Sequence, residues 1–183
     1  MTQGLEDHRL FLRVAEGDPQ AFRKLVDQHS RPLVTYLTRL MNNQHEAEEL
    51  AQEVFVRVWQ RASDFRPEFR ATTWLHRIGH NLAVDQLRRR RGTEEFDAER
   101  DPAPSSARPS TLLEQKQQAN SLQAALDVLP LRQKTAMLLK YEQDFSNPDI
   151  AAVLGLSVDA VESLLSRAKR QLKDQLAGDL SND

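Results

Sequence analysis

Two stretches of helical apolar period are separated by one that has no period at all. The separating stretch, "GTEEFDAERDPAPSSARPS" from Gly92 to Ser110, is rich in Pro, Ser and acids. Such a composition cannot bury enough apolar surface to offset the entropy of ordering it. A flexible acidic linker is therefore expected at 92–110, able to reach roughly 65 Å at ~3.4 Å per residue. A chain divided in this way is expected to fold as two small units, 1–91 and 111–177, with a tail at 178–183.

The first unit reads as helices throughout. Asp18-Pro19 gives an N-cap followed by proline at the first helical position. Phe22, Leu25, Val26, Leu33, Leu37, Leu40 and Met41 supply its apolar face, and Asn42-Asn43 ends it. Pro32 predicts a kink or a division of this segment. A second helix, about Gln44 to Arg61, places Ala47, Leu50, Ala51, Val54 and Val58 on one face. Glu49, Gln52, Glu53 and Val56 fall on another. The third, about Thr73 to Arg91, has a core stripe of Leu75, Ile78, Leu82 and Ala83, with Trp74, Arg77, Asn81, Arg88 and Arg91 largely outside it.

The second unit opens with Thr111 and Glu114 at capping-box spacing. Leu122, Leu126 and Leu129 continue that helix up to Pro130, and Leu131 to Glu142 form another. Pro148 to Leu154, a turn at Gly155, and a last helix capped by Ser157 then complete a helix-turn-helix. Val161, Leu165, Ala168 and Leu172 supply the last helix with its core positions. No segment alternates with period two for long, so the fold class is all-α.

Charge is sorted along this chain. The formal net charge is −2 and the pI about 6.2, which argues against a free-standing, tight DNA binder, since Lys and Arg on phosphates supply most non-specific affinity. Yet Arg66 to Arg91 holds seven arginines against Glu68 and Asp85, whereas five acids face one arginine between Thr93 and Asp101. The helix-turn-helix points to a major groove, with Asp159, Ala160, Glu162, Ser163 and Ser166 facing it and Arg167, Lys169, Arg170 and Lys173 on phosphates. Glu162 could accept a hydrogen bond from a cytosine amino group, but it repels phosphates, so this module alone is expected to bind weakly. Phe65 to Arg91 combines aromatics with arginines, the chemistry of a single-strand surface.

Other chemistries have little support. Cysteine is absent, which removes disulfides, thiolate catalysis and Cys-based zinc fingers. His76 and His80 stand four apart, a spacing that can hold a metal, but no third ligand is evident. "HEAEE" at His45 to Glu49 lacks a zincin's second histidine, and there is no P-loop or nucleophile elbow. No catalytic residues, cofactor or metal are expected. No apolar run reaches the ~18 residues of a membrane span, and the N-terminus lacks a signal-peptide layout, so no membrane insertion and a cytoplasmic location are expected. Two other readings stand beside DNA binding in a larger assembly: a stand-alone dimeric regulator using only the helix-turn-helix, and a helical metal enzyme around His76 and His80.

"AEELAQEVFVRVWQ", then "FRPEFRATTWLHRIGHNLAVDQLRRRR", then "LPLRQKTAMLLKYEQDFSNPDIAAVLGLSVDAVESLLSRAKRQL" together resemble the extracytoplasmic-function group of sigma-70 RNA polymerase sigma factors, over about residues 10 to 176. The resemblance implies a promoter-specificity subunit rather than an enzyme. It implies that Glu49, Gln52, Glu53 and Val56 dock on the clamp of core RNA polymerase, with the flap region meeting the second domain. Phe65, Thr73, Trp74 and Asn81 match the pocket for an unpaired −10 base; Arg77 shares that face, and Arg88, Arg89 and Arg91 would hold phosphates. The last helix, with Ser157, Asp159, Ala160, Glu162, Ser163, Ser166, Arg167, Lys169 and Arg170, is similar to the −35 reader. The family also implies an anti-sigma factor as the source of control. Tethering two weak readers to one polymerase raises their effective concentration, which answers the charge problem.

Overall fold

The structure is a computed structural model, and it describes residues 2–90 and 122–179, with side chains from 5 to 90 and from 122 to 175. The expected linker at 92–110, Arg91, the helix start at Thr111 and residues 180–183 lie outside the described residues. Among those described, the elements are helical: α1 (Thr2–Ala15), α2 (Pro19–Met41), α3 (Gln44–Arg61), a 3-10 turn (Ala62–Asp64), α4 (Ala71–Arg90), α5 (122–127), α6 (Leu131–Tyr141), α7 (Asn147–Leu154) and α8 (Val158–Asp179).

Local chemistry sets the helix ends. Asp18 caps α2, its Oδ1 accepting from the backbone N–H of Gln20 at 2.8 Å and of Ala21 at 3.2 Å. The Arg13 guanidinium holds the other oxygen of that carboxylate and lowers its pKa. Asn42 takes the left-handed conformation that ends α2 (φ 52°), and Asn43 then caps α3 by accepting from Glu46 N–H. Pro32 does not divide α2, which runs unbroken from Pro19 to Met41. Leu25 and His29 before it, and Leu33, Tyr36 and Leu37 after it, are buried in one core that holds both halves in line.

α1 lies ahead of the stretch in which apolar period places a core, and it adds Leu10, Phe11 and Val14 to that core. α2, α3 and α4 pack closely where Gly79 sits. A Cβ there would come within 3.3 Å of Leu33 Cδ1 and 3.5 Å of Leu37 and Val54, so the small residue lets three helices meet.

The C-terminal block is docked against the N-terminal one. Lys134 of α6 has no solvent exposure. Its Nζ donates to the Leu40 carbonyl at 3.1 Å and to Asp127 Oδ1 at 2.7 Å. The Asp127 carboxylate also accepts from Gln123 Nε2 and from Asn42 Nδ2, both at 2.9 Å. A cation therefore sits at the negative end of α2, neutralised by a carboxylate with its lone pairs engaged. Burial lowers the Lys134 pKa, and Asp127 acts against that shift. Arg39, donating to Gln123 at 3.0 Å and paired with Glu142 at 3.5 Å, adds a second tie.

Candidate nucleic-acid interface

The chain between α3 and α4 is positioned by three packed aromatics, one pair stacked and the third edge-on to both. Phe65 is 5% exposed. Its ring lies parallel to that of Phe11, 4.0 Å away, and edge-on to Trp74 at 5.7 Å, while Trp74 meets Phe11 at 5.3 Å. α1 thus covers the ring that the sequence offers to an unpaired base, and Phe65 works from beneath by fixing the loop. Trp74 remains partly exposed and divides two clefts. The smaller, about 170 Å³, is lined by Asp64, Arg66, Phe69, Thr73, Trp74, Arg77 and, from α7, Ala152. The larger, about 270 Å³, is lined by Arg57, Arg61, Asp64, Trp74, Arg77, Ile78 and Asn81. Thr73, Trp74, Arg77 and Asn81 are thereby gathered on one surface. Arg88 and Arg89 are exposed at the far end of α4, and Arg90 is paired with Glu46.

α7 covers the start of this surface. Thr73 is 2% exposed and its Oγ1 donates to Asp149 Oδ1 at 2.9 Å. Arg70 lies 3.9 Å from the other oxygen of the same carboxylate. Behind this contact the Phe145 ring meets His76 at 5.0 Å, and His76 meets Tyr36 at 5.0 Å. His80 Nδ1 and the Tyr36 hydroxyl are 3.3 Å apart. Burial pushes both histidines down to about 4, so each is a neutral core group near pH 7. His76 Nδ1 is hydrogen-bonded to the Thr72 carbonyl at 2.8 Å; among the described residues no third metal ligand stands with the pair.

The opposite end presents the helix-turn-helix. Ser146 caps α7 by accepting from Asp149 N–H, Gly155 turns the chain at φ 65°, and Ser157 caps α8 by accepting from Ala160 N–H at 3.2 Å. Val161, Leu165, Ala168 and Leu172 are buried, as is Leu164. Asp159, Glu162, Ser163, Ser166, Arg167, Lys169 and Arg170 are exposed, with Ala160 partly so. A shallow groove of about 460 Å³ gathers Asp159, Glu162, Ser163, Ser166, Arg167 and Arg170. Its front is acidic and its rear basic. Lys169 stands outside it, with its ammonium over the Tyr141 ring at 5.4 Å.

On α3, Glu49, Gln52, Glu53 and Val56 are all exposed. Glu53 pairs with Arg57 at 3.0 Å and Glu49 with His45 at 3.7 Å. Trp59, 41% exposed beside Val56 at 48%, enlarges this face. Its signal in the sequence is an aromatic three residues beyond Val56.

Comparison with known proteins follows this division. Residues 25–93 match the model of Sigma-70 region 2, and residues 119–172 that of Sigma-70, region 4. The chain is 37% identical over 172 residues to the ECF RNA polymerase sigma factor SigE of Mycolicibacterium smegmatis, covering 89% of this chain and 65% of that protein. It is 30% identical over 178 residues to the RNA polymerase sigma factor NccH of Alcaligenes xylosoxydans xylosoxydans, covering 94% and 95%. Among solved structures, CnrH in complex with the cytosolic domain of CnrY is similar with a TM-score of 0.73 and 28% identity, over 95% of this chain and 99% of that one. The sigma factor RpoE in complex with the anti-sigma factor NepR, from Bartonella quintana, shares the fold with a TM-score of 0.66 at 24% identity, over 85% and 96%.

Proposed function

The chain belongs to the extracytoplasmic-function group of sigma-70 RNA polymerase sigma factors, and from that premise we propose that it directs transcription initiation as a non-catalytic, cytoplasmic promoter-specificity subunit of RNA polymerase. Residues 1–91 act as the domain that binds core polymerase and opens the −10 element. Residues 111–177 act as the −35 reader, and 92–110 join the two. The observation that carries this reading is the presence, in one chain, of an exposed helix-turn-helix face on α8 and an arginine-rich aromatic cleft on α4.

The division of labour follows from chemistry. Thr73, Trp74 and Asn81 offer a hydroxyl, an indole and an amide, which can hold a base taken out of its stack; flipping costs a few kcal/mol. Arg77, Arg88, Arg89 and Arg91 follow the backbone, and Phe65 supports the pocket from beneath. On α8, Ser157, Asp159, Ala160, Glu162, Ser163 and Ser166 face the groove, and Arg167, Lys169 and Arg170 hold phosphates. Glu49, Gln52, Glu53 and Val56 meet the clamp. The docking of α7 over Thr73 supports a further step: core polymerase must draw the two blocks apart before the −10 pocket can take a base. An anti-sigma factor that clasps both blocks would hold the chain in the closed form; a partner of this kind is in keeping with CnrH, 28% identical to this chain, which is solved in complex with the cytosolic domain of CnrY.

The test is promoter-directed transcription from a genomic fragment library, with the chain and core polymerase supplied separately and together. Starts at a small set of sites only when both are present are expected. Footprinting of duplex DNA by the chain alone, without core binding, would overturn the proposal. Within the mechanism, Asn81→Ala should cut open-complex formation by about tenfold (~1.4 kcal/mol) while leaving core binding intact; equal loss of both would remove Asn81 from the base-reading role.

A further inference from the structure

The groove on α8 is fronted by side chains of two kinds. Ser163 and Ser166 can each donate or accept a hydrogen bond, so they suit any base edge. Glu162 can only accept. Among the described residues it makes one hydrogen bond, and the donor comes from the other helix of the motif: Asn147 Nδ2 donates to Glu162 Oε1 at 3.4 Å. The cations of the groove, Arg167 and Arg170, stand more than a turn further along α8. The charge at its front is therefore met by the Asn147 amide.

Asn147 is the first residue of α7, and the turn that carries it is anchored. Ser146 caps it, accepting from Asp149 N–H at 3.2 Å. Asp149 accepts from Thr73 Oγ1 at 2.9 Å, and Ile150 is fully buried. The direction of the amide is set as well. Asn147 Oδ1 is enclosed with no hydrogen-bond partner among the described residues. An amide turned the other way would set that oxygen against a carboxylate, so the Glu162 contact selects the donor face. A long acidic side chain left free at the mouth of a major groove repels phosphates and loses rotamer freedom when it settles on a base. The Asn147 N–H offsets part of the charge and fixes one carboxylate oxygen, leaving Oε2 to meet DNA.

A fixed carboxylate discriminates between base edges. In the major groove adenine and cytosine present an exocyclic amino group, whereas guanine and thymine present a carbonyl oxygen. An amino group donates to Oε2; a carbonyl oxygen is repelled by it. We infer that Asn147 is a positioning residue of the α8 reader, holding Glu162 so that its carboxylate selects a base with an exocyclic amino group over one with a carbonyl. The inference rests on the reading of α8 as the −35 reader. To that reading it adds the chemical class of base accepted and a residue of the preceding helix on which the choice depends.

The test uses the full chain assembled with core polymerase on a promoter pool randomised over the −35 region, with the transcribed templates sequenced. At one position of one strand the parent should favour A or C over G or T by about tenfold. Glu162→Lys, a donor in place of an acceptor, should reverse that preference. Glu162→Gln, which can do both, should bring the ratio close to one. Asn147→Ala should lower the ratio about threefold and leave the preferences at other positions as they were, while Asn147→Gln, which restores an amide donor, should recover part of the loss. In a Glu162→Gln chain, Asn147→Ala should change nothing further. That dependence is the mark of action through Glu162, and a purely structural role for Asn147 would not produce it. An unchanged ratio in Asn147→Ala, or an equal flattening at every position, overturns the inference while the −35 reading stands. A parent that selects no base anywhere in the randomised region removes both. Circular dichroism of each variant separates loss of the contact from loss of the fold.

Discussion

The two surfaces proposed to read DNA differ in how far they are open. On α8 the front positions Asp159, Glu162, Ser163 and Ser166 all face solvent. On α4 the first of the reading residues, Thr73, is buried and hydrogen-bonded to Asp149. One short helix accounts for both facts. α7 props α8 outward through the Gly155 turn, and it lies across the start of α4. A chain with this arrangement leaves the proposed duplex-reading face open and the proposed base pocket covered, which on that proposal would let packing set the order of its encounters with a promoter.

That contrast can be attacked at three depths. The deepest is the buried Lys134–Asp127 pair under the interface. Lys134→Met leaves Asp127 without its counter-ion and should lower the free energy of unfolding by about 3–5 kcal/mol. Urea unfolding followed by tryptophan fluorescence, which reports on the N-terminal block alone, should then part from the helical signal of the whole chain. A coincident transition at the parent midpoint would show that the pair does not join the blocks.

Acid reaches the same interface through His76 and His80. Both are held near 4 against an ordinary 6.5, chiefly by burial. As pH falls through this window the unfolded chain takes up protons before the folded one, so stability is complete above about 6.5 and declines toward 4. The loss should approach about 3 kcal/mol per histidine. Unfolding midpoints measured from pH 7.5 to 4.5 would check it, with His76→Phe reducing the slope; an unchanged midpoint across the range would contradict the assignment.

The shallowest target is the Asp149 contact, one part-buried hydrogen bond and one long ion pair, together worth about 1 kcal/mol. Since the chain has no cysteine, Ala152→Cys places a single thiol in the wall of the smaller cleft. Its rate of modification should rise several-fold when Asp149→Ala is added. A thiol at Ser163 on α8 should react at the same rate in both backgrounds, and if the two thiols respond alike, the difference between the surfaces is not real.

Much of this molecule is legible from residue spacing because helical period is local. The caps at Asp18, Ser146 and Ser157, the Gly155 turn and the α8 core from Val161 to Leu172 depend on residues only a few positions apart. What escapes is set by contacts distant in sequence. Phe65 reads as an aromatic for bases, and only the arrival of α1, some fifty residues earlier in the chain, puts Phe11 over it. His76 and His80 carry a metal-like spacing, and only their place between the blocks makes them neutral core groups. Lys134 offers no local sign of burial, because the Leu40 carbonyl it donates to, and the Asn42 amide that shares its Asp127 counter-ion, lie in the other block. Pro32 misleads in the opposite direction: its local rule argues for a break, and apolar packing on both sides carries the helix through.

α7 also has a consequence for how such a chain can diversify. Of its eight residues only Pro148 is exposed, the others being buried or partly so between α4, α6 and α8. A segment engaged on nearly every side has little freedom to vary, since each substitution is felt at once by the propped reader and by the covered one. New promoter preferences are therefore expected to accumulate on the outer face of α8 while the hinge beneath it stays fixed. On the proposed reading, the vocabulary of the reader is free to drift while the packing beneath it stays fixed.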